Sequence, residues 1–311
     1  MERLDSPRFG EYDSWNPIMG VELTIEAVRS LLPRRPADGH KGTFGHVLIV
    51  AGSRGFSGAA KLAAESAGRS GAGLVTVAVP QGIAVAVAAS LFESMWTVLP
   101  TTRGDSLSLV ALPLLMTAAE GKQAVVLGPG LSTHDETRRL VLEFVPQCPR
   151  PLLIDADGLN NLSGDPGVLA RCTAPVVLTP HPGEMARLTG GAVSDIQRDR
   201  QGAATRFAKR HRCVVVLKGH RTVIADAQGA CSVNPTGNSG LATGGSGDVL
   251  SGLIGGLLAQ GMGPYDAACL GVYLHGLAGD IAAREKTGRG MIARDVIEAI
   301  PNAWRALETE G

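Results

Sequence analysis

Residues 234–261 read NPTGNSGLATGGSGDVLSGLIGGLLAQG, a turn-rich, glycine-dense segment that passes without a break into an apolar run. Val249, Leu250, Leu253, Ile254, Leu257 and Leu258 recur at helical spacing. Gly244, Gly245, Ser246 and Gly247 are therefore expected to form a loop that delivers backbone N–H groups to the start of a helix. Glycine tolerates positive φ and lets a ligand come close to the backbone. The helix N-terminus adds partial positive charge and unpaired donors, a setting suited to phosphate. These four residues are the expected anion hole. Asp248 follows in the first turn, where an acid can simply complement the helix dipole. Beside an anion site, however, a carboxylate repels the ligand unless it serves a purpose, and the reading as a general base is favoured. Gly252 lies mid-helix, where Gly252→Ala is expected to gain up to about 1 kcal/mol if the methyl fits.

The rest of the chain must supply a frame for that loop. Its 311 residues suffice for one large α/β domain or two small ones. Lysine plus arginine and aspartate plus glutamate both number 29, so no basic excess exists to neutralise nucleic acid. Cys148, Cys172, Cys213, Cys231 and Cys269 are scattered and lack CxxC spacing. That pattern suits buried thiols in a reducing cytoplasm better than a disulfide framework or a zinc site. No basic-then-apolar leader opens the chain, and the 249–258 run is too short and too glycine-interrupted for a membrane span.

Taken in order, residues 1 to about 22 are expected to form a polar, turn-rich arm and residues 23–311 a single domain. A short helix is expected over 23–32. The segment KGTFGHVLIVAGS places a buried strand at 46–51, followed by a loop at 52–58, a small-faced helix at 59–70 and a second strand at 73–79, a parallel crossover unit. The spacing Gly52-Ser53-Arg54-Gly55 does not match GxGxxG, which weakens a dinucleotide oxidoreductase reading. Strands are expected at 94–98, 124–127, 151–155, 176–179 and 213–217. They are separated by helices at 83–90, 107–119, 133–144 and 195–211, with Pro113 disturbing the second of these. Residues 222–225 and 230–233 flank Asp226-Ala227-Gln228-Gly229, a hairpin signal. Helices over 264–284 and 292–307 close the chain. The order implies a mainly parallel sheet with helices on both faces and a small antiparallel piece near the end.

In open α/β sheets ligands bind beyond the carboxyl ends of the strands. Gly128 to Gly130, Asp155 and Asp157, His181 and Glu184, Lys218 and the 234–248 loop all fall at such ends and should share one crevice. His181, held between two prolines, is read as a ligand contact. Glu184 is either a helix N-terminal acid or a water-mediated grip on Mg²⁺, an ion that keeps much of its hydration shell. Lys218, followed by Gly219, His220, Arg221 and Thr222, is either a surface turn or a nucleotide contact. Asp155 and Asp157 are either caps for a helix over 158–162 or participants in metal chemistry.

The ordered set KGTFGHVLIVAGS, GPGLS, DADGLN, LTPHPGEMARL, LKGHRTVIAD, NPTGNSGLATGGSGDVLSG and YLHGLAGD resembles the NAD(P)H-hydrate dehydratase family of the ribokinase-like superfamily, over roughly residues 23–306. The resemblance implies a ribokinase-like α/β fold, dependence on Mg²⁺ and the use of ADP as co-substrate. It implies dehydration of (6S)-NADHX and (6S)-NADPHX to NADH and NADPH with release of AMP and phosphate. It places Ala59, Gly130, His181 and Asp248 against the hydrate, with Asp248 catalytic, and Lys218, Gly219, His220, Arg221, Thr222 and Gly247 on the adenine nucleotide. It also implies a cytoplasmic homotetramer without nucleic-acid or membrane partners, and a standalone dehydratase whose epimerase, often fused at the N-terminus, would be a separate partner. The family pattern TGNPGMATGGTGD differs here at Ser239, Leu241 and Ser246, and its GPGLG at Ser132, changes that bear on substrate preference more than on reaction type. The alternatives are a vitamin-precursor kinase of the same superfamily, which would leave phosphate on its product, and a catalytically silent nucleotide-binding sensor.

Overall fold

The computed structural model describes residues 20–308. One ten-stranded sheet runs through them: β1 Val21–Glu22, β2 His46–Val50, β3 Leu74–Pro80, β4 Met95–Leu99, β5 Ala124–Leu127, β6 Leu152–Ile154, β7 Val176–Leu178, β8 Val214–Leu217, β9 Val223–Ala225 and β10 Cys231–Val233. Their spatial order is β1-β10-β9-β8-β7-β6-β5-β2-β3-β4. All neighbours from β8 through β4 are parallel. Only the β8–β9–β10 meander is antiparallel, as the Asp226–Gly229 hairpin signal implies. Val21 and Glu22, assigned to the arm by the sequence reading, pair in parallel with Ser232 and Val233 and so extend the sheet. Residues 1–19 of that arm lie outside the described residues.

The central strands are apolar on both faces because both faces are covered. Val47 and Ile49 point into one core, which holds the helices Ser57–Arg69, Ser246–Ala259, Pro264–Lys286 and Ala293–Glu308. Leu48 and Val50 point into the other, against Leu112–Glu120, Asp135–Phe144 and Arg200–His211. The expected helix over 195–211 is two helices, Val193–Arg198 and Arg200–His211. The break falls at Asp199, whose side chain accepts from Gly202 N at 2.9 Å and starts the second helix. Pro113 sits in the first turn of Leu112–Glu120, after a 3₁₀ turn at Leu109–Ala111, a position where its missing N–H does no harm.

The glycine-rich helix Ser246–Ala259 is buried nearly all round. Its glycines serve packing. A Cβ on Gly252 would stand 2.0 Å from Ser66 Oγ and 2.1 Å from the Ala63 carbonyl, and one on Gly255 would stand 2.1 Å from Val126 Cγ2. The helix is thereby pressed against Ser57–Arg69 on one side and the sheet on the other. Gly252→Ala is accordingly a clash and cannot supply the stability gain expected from helix propensity.

Candidate active site

Strands β8, β7, β6, β5 and β2 are consecutive in the sheet, so the loops at their carboxyl ends form one row roughly 19 Å long at ~4.8 Å per strand. The N-terminus of Ser246–Ala259 opens onto this row. At one end, Gly52 N donates to the Pro129 carbonyl at 2.8 Å and Ser53 Oγ to the Gly130 carbonyl at 2.7 Å. Ala59 lies beside Gly130, whose Cβ would stand 3.1 Å from that of Ala59. These two expected hydrate contacts are therefore neighbours.

In the middle stands a charged cluster. Asp155 is buried, with Oδ1 accepting from Lys218 Nζ at 2.6 Å and Oδ2 from Ser251 Oγ at 2.6 Å. Lys218 Nζ also lies 3.8 Å from Glu184 Oε2. Burial, the largest single influence on Lys218, disfavours its charge, but Asp155, Glu184 and Asp248 outweigh it and hold the amine above its ordinary pKa. For Asp248, burial is again the largest influence; together with Asp155 it lifts the carboxyl from 3.8 to about 7, against the pull of Lys218. A carboxyl poised at that value is an effective proton acceptor near neutral pH.

The two aspartates of DADGLN do not cap a helix through their side chains. Asp155 binds Lys218 and Ser251, while Asp157 Oδ2 accepts from Ser132 N at 2.8 Å and its Oδ1 from Asn160 Nδ2 at 3.1 Å. Ala156 between them holds φ 48°, ψ −120°, a strained turn conformation for a residue with a side chain. Ser132 likewise holds φ 72°. Its strain is held by two bonds from one helix: Asp157 takes its N–H, and Asn161 Nδ2 donates to its carbonyl at 3.0 Å.

His181 and Glu184 form a capping box on Pro182–Thr189. His181 Nδ1 accepts from Gly183 N at 2.9 Å, and Glu184 Oε2 accepts from His181 N at 2.8 Å. Glu184 is thus the helix N-terminal acid that the sequence allowed, and His181 presents only Nε2 to the crevice, 3.4 Å from Glu184 Oε1. Burial, partly opposed by Glu184, pulls the imidazole below its ordinary pKa. Among the described residues no three His, Cys, Asp or Glu side chains are arranged to hold a metal ion directly. The acceptors gathered here are carboxylate oxygens, the class Mg²⁺ prefers, and they suit an ion that keeps its waters.

In the 244–247 loop, Gly245 holds φ 88°, and its Cβ would meet Leu62 Cδ1 at 2.4 Å. Gly245 therefore answers to the turn and to packing. A Cβ on Gly244 would meet nothing within 4 Å, and one on Gly247 would project towards Lys218 Nζ at 3.4 Å and Asp155 Oδ2 at 3.7 Å. Ser246 Oγ lies 3.3 Å from Nε2 of His275, whose pKa burial pulls down to about 4. In the Lys218–Thr222 loop, Thr222 Oγ1 donates to the Gly219 carbonyl at 3.0 Å, while the Arg221 side chain turns away to pair with Glu22. Sequence reasoning left Asp155 undecided and missed Ser251 and His275. Ser251, one turn after Asp248, carried a signal in its spacing; His275 carried one only as part of YLHGLAGD.

Sheet order and helix layers place the protein in the ribokinase-like class. It superposes on a ribokinase-like superfamily protein from Enterococcus faecalis V583 with a TM-score of 0.81, covering 96% of this chain and 100% of that one at 28% identity. A family model described as NAD(P)H-hydrate dehydratase matches residues 47–302, and the chain belongs to that family. It is 50% identical over 93% of its length to the bifunctional NAD(P)H-hydrate repair enzyme of Moorella thermoacetica, and spans 54% of that relative. It is 36% identical to the ADP-dependent (S)-NAD(P)H-hydrate dehydratase of Bacillus subtilis strain 168, over 92% of this chain and 98% of the relative. The structure of the Bacillus subtilis ADP/ATP-dependent NAD(P)H-hydrate dehydratase co-crystallised with ATP/Mg²⁺ aligns with a TM-score of 0.79 at 33% identity, covering 93% and 99% of the two chains. The chain spans about half the length of the bifunctional relatives it matches. Among the described residues no helix is long and apolar enough to cross a membrane.

Proposed function

We propose that the chain is an ADP-dependent NAD(P)H-hydrate dehydratase, a lyase that returns (6S)-NADHX and (6S)-NADPHX to NADH and NADPH. The observation that carries this reading is Asp248, poised at about 7 in the first turn behind the glycine loop and grouped with Lys218 and Asp155. Asp248 takes the proton from the ring hydroxyl of the hydrate. The freed oxygen attacks the β-phosphorus of ADP, and the bond to the bridging oxygen breaks to release AMP. Backbone amides of Gly244, Gly245, Ser246 and Gly247 stabilise the charge that develops on the transferring group. The hydroxyl has become a phosphate ester, a far better leaving group. The ring-nitrogen lone pair expels phosphate, and loss of a proton from the neighbouring ring carbon restores the dihydronicotinamide.

Ala59, Gly130 and His181 would line the hydrate, and Lys218, Gly219, His220, Arg221, Thr222 and Gly247 the adenine nucleotide. Arg221 serves that role through its backbone, given its side-chain pairing with Glu22. Mg²⁺, when bound with the nucleotide phosphates, supplies positive charge to the transferring group, and Glu184 would hold its hydration shell through water. The reading extends to a cytoplasmic homotetramer that acts alongside an epimerase activity. Five free cysteines, four of them buried, suit a reducing cytoplasm, and the bifunctional names of the longer relatives accord with a second repair activity beside this one. The decisive test mixes the purified protein and Mg²⁺ with NADHX and either ADP or ATP. Reduced-nicotinamide absorbance should return with stoichiometric AMP and phosphate from ADP. A stable phosphorylated product would instead favour the kinase alternative, and nucleotide binding without turnover the sensor.

A further inference from the structure

Arg200 opens the Arg200–His211 helix, and its guanidinium faces the Lys218–Thr222 loop. Nη2 donates to the Leu217 carbonyl at 2.9 Å, and Nη1 donates to the carbonyls of His220 and, at 3.3 Å, of Arg221. Three carbonyls of one short loop thus converge on one side chain. The loop has unusual backbone angles that make this possible. Gly219 holds φ 147°, and a Cβ there would stand 2.9 Å from Arg200 Nη2, so only glycine leaves room for the guanidinium. Arg221 holds φ 55°, a conformation that a residue with a side chain adopts only when its surroundings impose it. Arg200 Nε is buried and has no hydrogen-bond partner. The guanidinium therefore sits where it satisfies the loop at the expense of one of its own donors.

The direction of these bonds has a consequence. In a planar trans peptide the C=O and the following N–H point in opposite directions. Turning the His220 and Arg221 carbonyls towards Arg200 therefore turns the Arg221 and Thr222 N–H groups the other way. Neither N–H donates to an acceptor among the described residues. Successive outward N–H groups of this kind form a concave donor site for an anion or another acceptor-rich group. We propose that Arg200 is a positioning residue for the adenine nucleotide: it holds the 217–221 carbonyls inward so that the loop amides face the nucleotide. This inference rests on the reading that ADP lies along Lys218–Thr222.

The test uses Arg200→Lys, which keeps the charge but cannot span three carbonyls, and Arg200→Ala, assayed with and without millimolar ethylguanidinium. Lys218→Ala serves as the reference for the underlying reading. Calorimetry with ADP and Mg²⁺, melting curves and the separate KM values for ADP and hydrate are measured. Both Arg200 variants should lose on the order of tenfold or more in ADP affinity. The ligand-free melting temperature of Arg200→Lys and the hydrate KM should stay near wild type, and ethylguanidinium should restore part of the ADP affinity of Arg200→Ala. If Lys218→Ala weakens ADP binding but both Arg200 variants bind ADP within twofold of wild type, the role of Arg200 is overturned and the loop reading stands. If in Arg200→Lys the hydrate KM rises while ADP affinity and the melting temperature both fall, the residue is merely structural and the inference is again overturned. If none of the three variants changes ADP affinity, the loop reading and the inference fall together.

Discussion

Asp248→Asn should separate two consequences of one geometry, lost catalysis and a pH-dependent gain in stability. The carboxyl titrates at about 7 in the folded protein against an ordinary 3.8. Below 3.8 both states hold the proton and the shift has no effect. Between 3.8 and about 7 the folded state binds more protons than the unfolded one, so its stability falls as pH rises. Above 7 the whole penalty is present. Moving the carboxyl from 3.8 to about 7 corresponds to ~4 kcal/mol as a ceiling, and allowing for solvent at a partly exposed side chain leaves about 2 kcal/mol. Asparagine does not titrate, so the stability difference between variant and wild type should widen by about 2 kcal/mol between pH 4 and pH 8. For a chain of this size that is roughly 4 °C in melting temperature. The other groups of the protein are common to both and cancel in the difference. Turnover should fall by about 10²–10⁴-fold, the usual contribution of a general base. A stability difference that stays flat from pH 4 to pH 8 would refute the argument that burial and Asp155 lift this carboxyl, and activity within a few-fold of wild type would remove it as the base.

Lys218→Ala should weaken ADP binding by about 1.5–3 kcal/mol, more than it affects the hydrate, and calorimetric titration reads this directly. The same change removes the cation opposing the rise of Asp248, so the acid limb of kcat/KM should move to higher pH; a limb that moves down contradicts the cluster. Gly247→Val should leave a folded protein whose melting temperature no longer responds to ADP and Mg²⁺, because its side chain projects towards Lys218 and Asp155 and not into the core. Gly252→Ala should be destabilised by about 1–3 kcal/mol, since its methyl meets the Ala63 carbonyl; chemical denaturation showing a gain would overturn the packing account.

Much of the architecture follows from local pattern. β-branched runs such as residues 46–50 and 124–127, the hairpin at Asp226–Gly229 and the helix behind the glycine loop are legible because side-chain period and turn chemistry are properties of neighbours in the chain. The identity of Asp248 is legible for the same reason, since glycine loop, acid and helix are contiguous. What would fit Asp248 to act as a base is not local. Its carboxyl is lifted by burial and by Asp155, an acid that bonds to Lys218 63 positions away and to Ser251 96 positions away. Sequence spacing left Asp155 between a cap and a functional group because only the sheet order places β6 next to β7 and one strand away from β8, which Lys218 directly follows. Gly252 shows the same division. Propensity, a property of one helix, favours alanine, whereas the opposing carbonyl belongs to Ala63 on another helix. Periodicity and turn propensity arise from neighbouring residues, so a sequence displays them; desolvation, charge proximity and close packing arise between distant residues, so they exist only once the chain has folded.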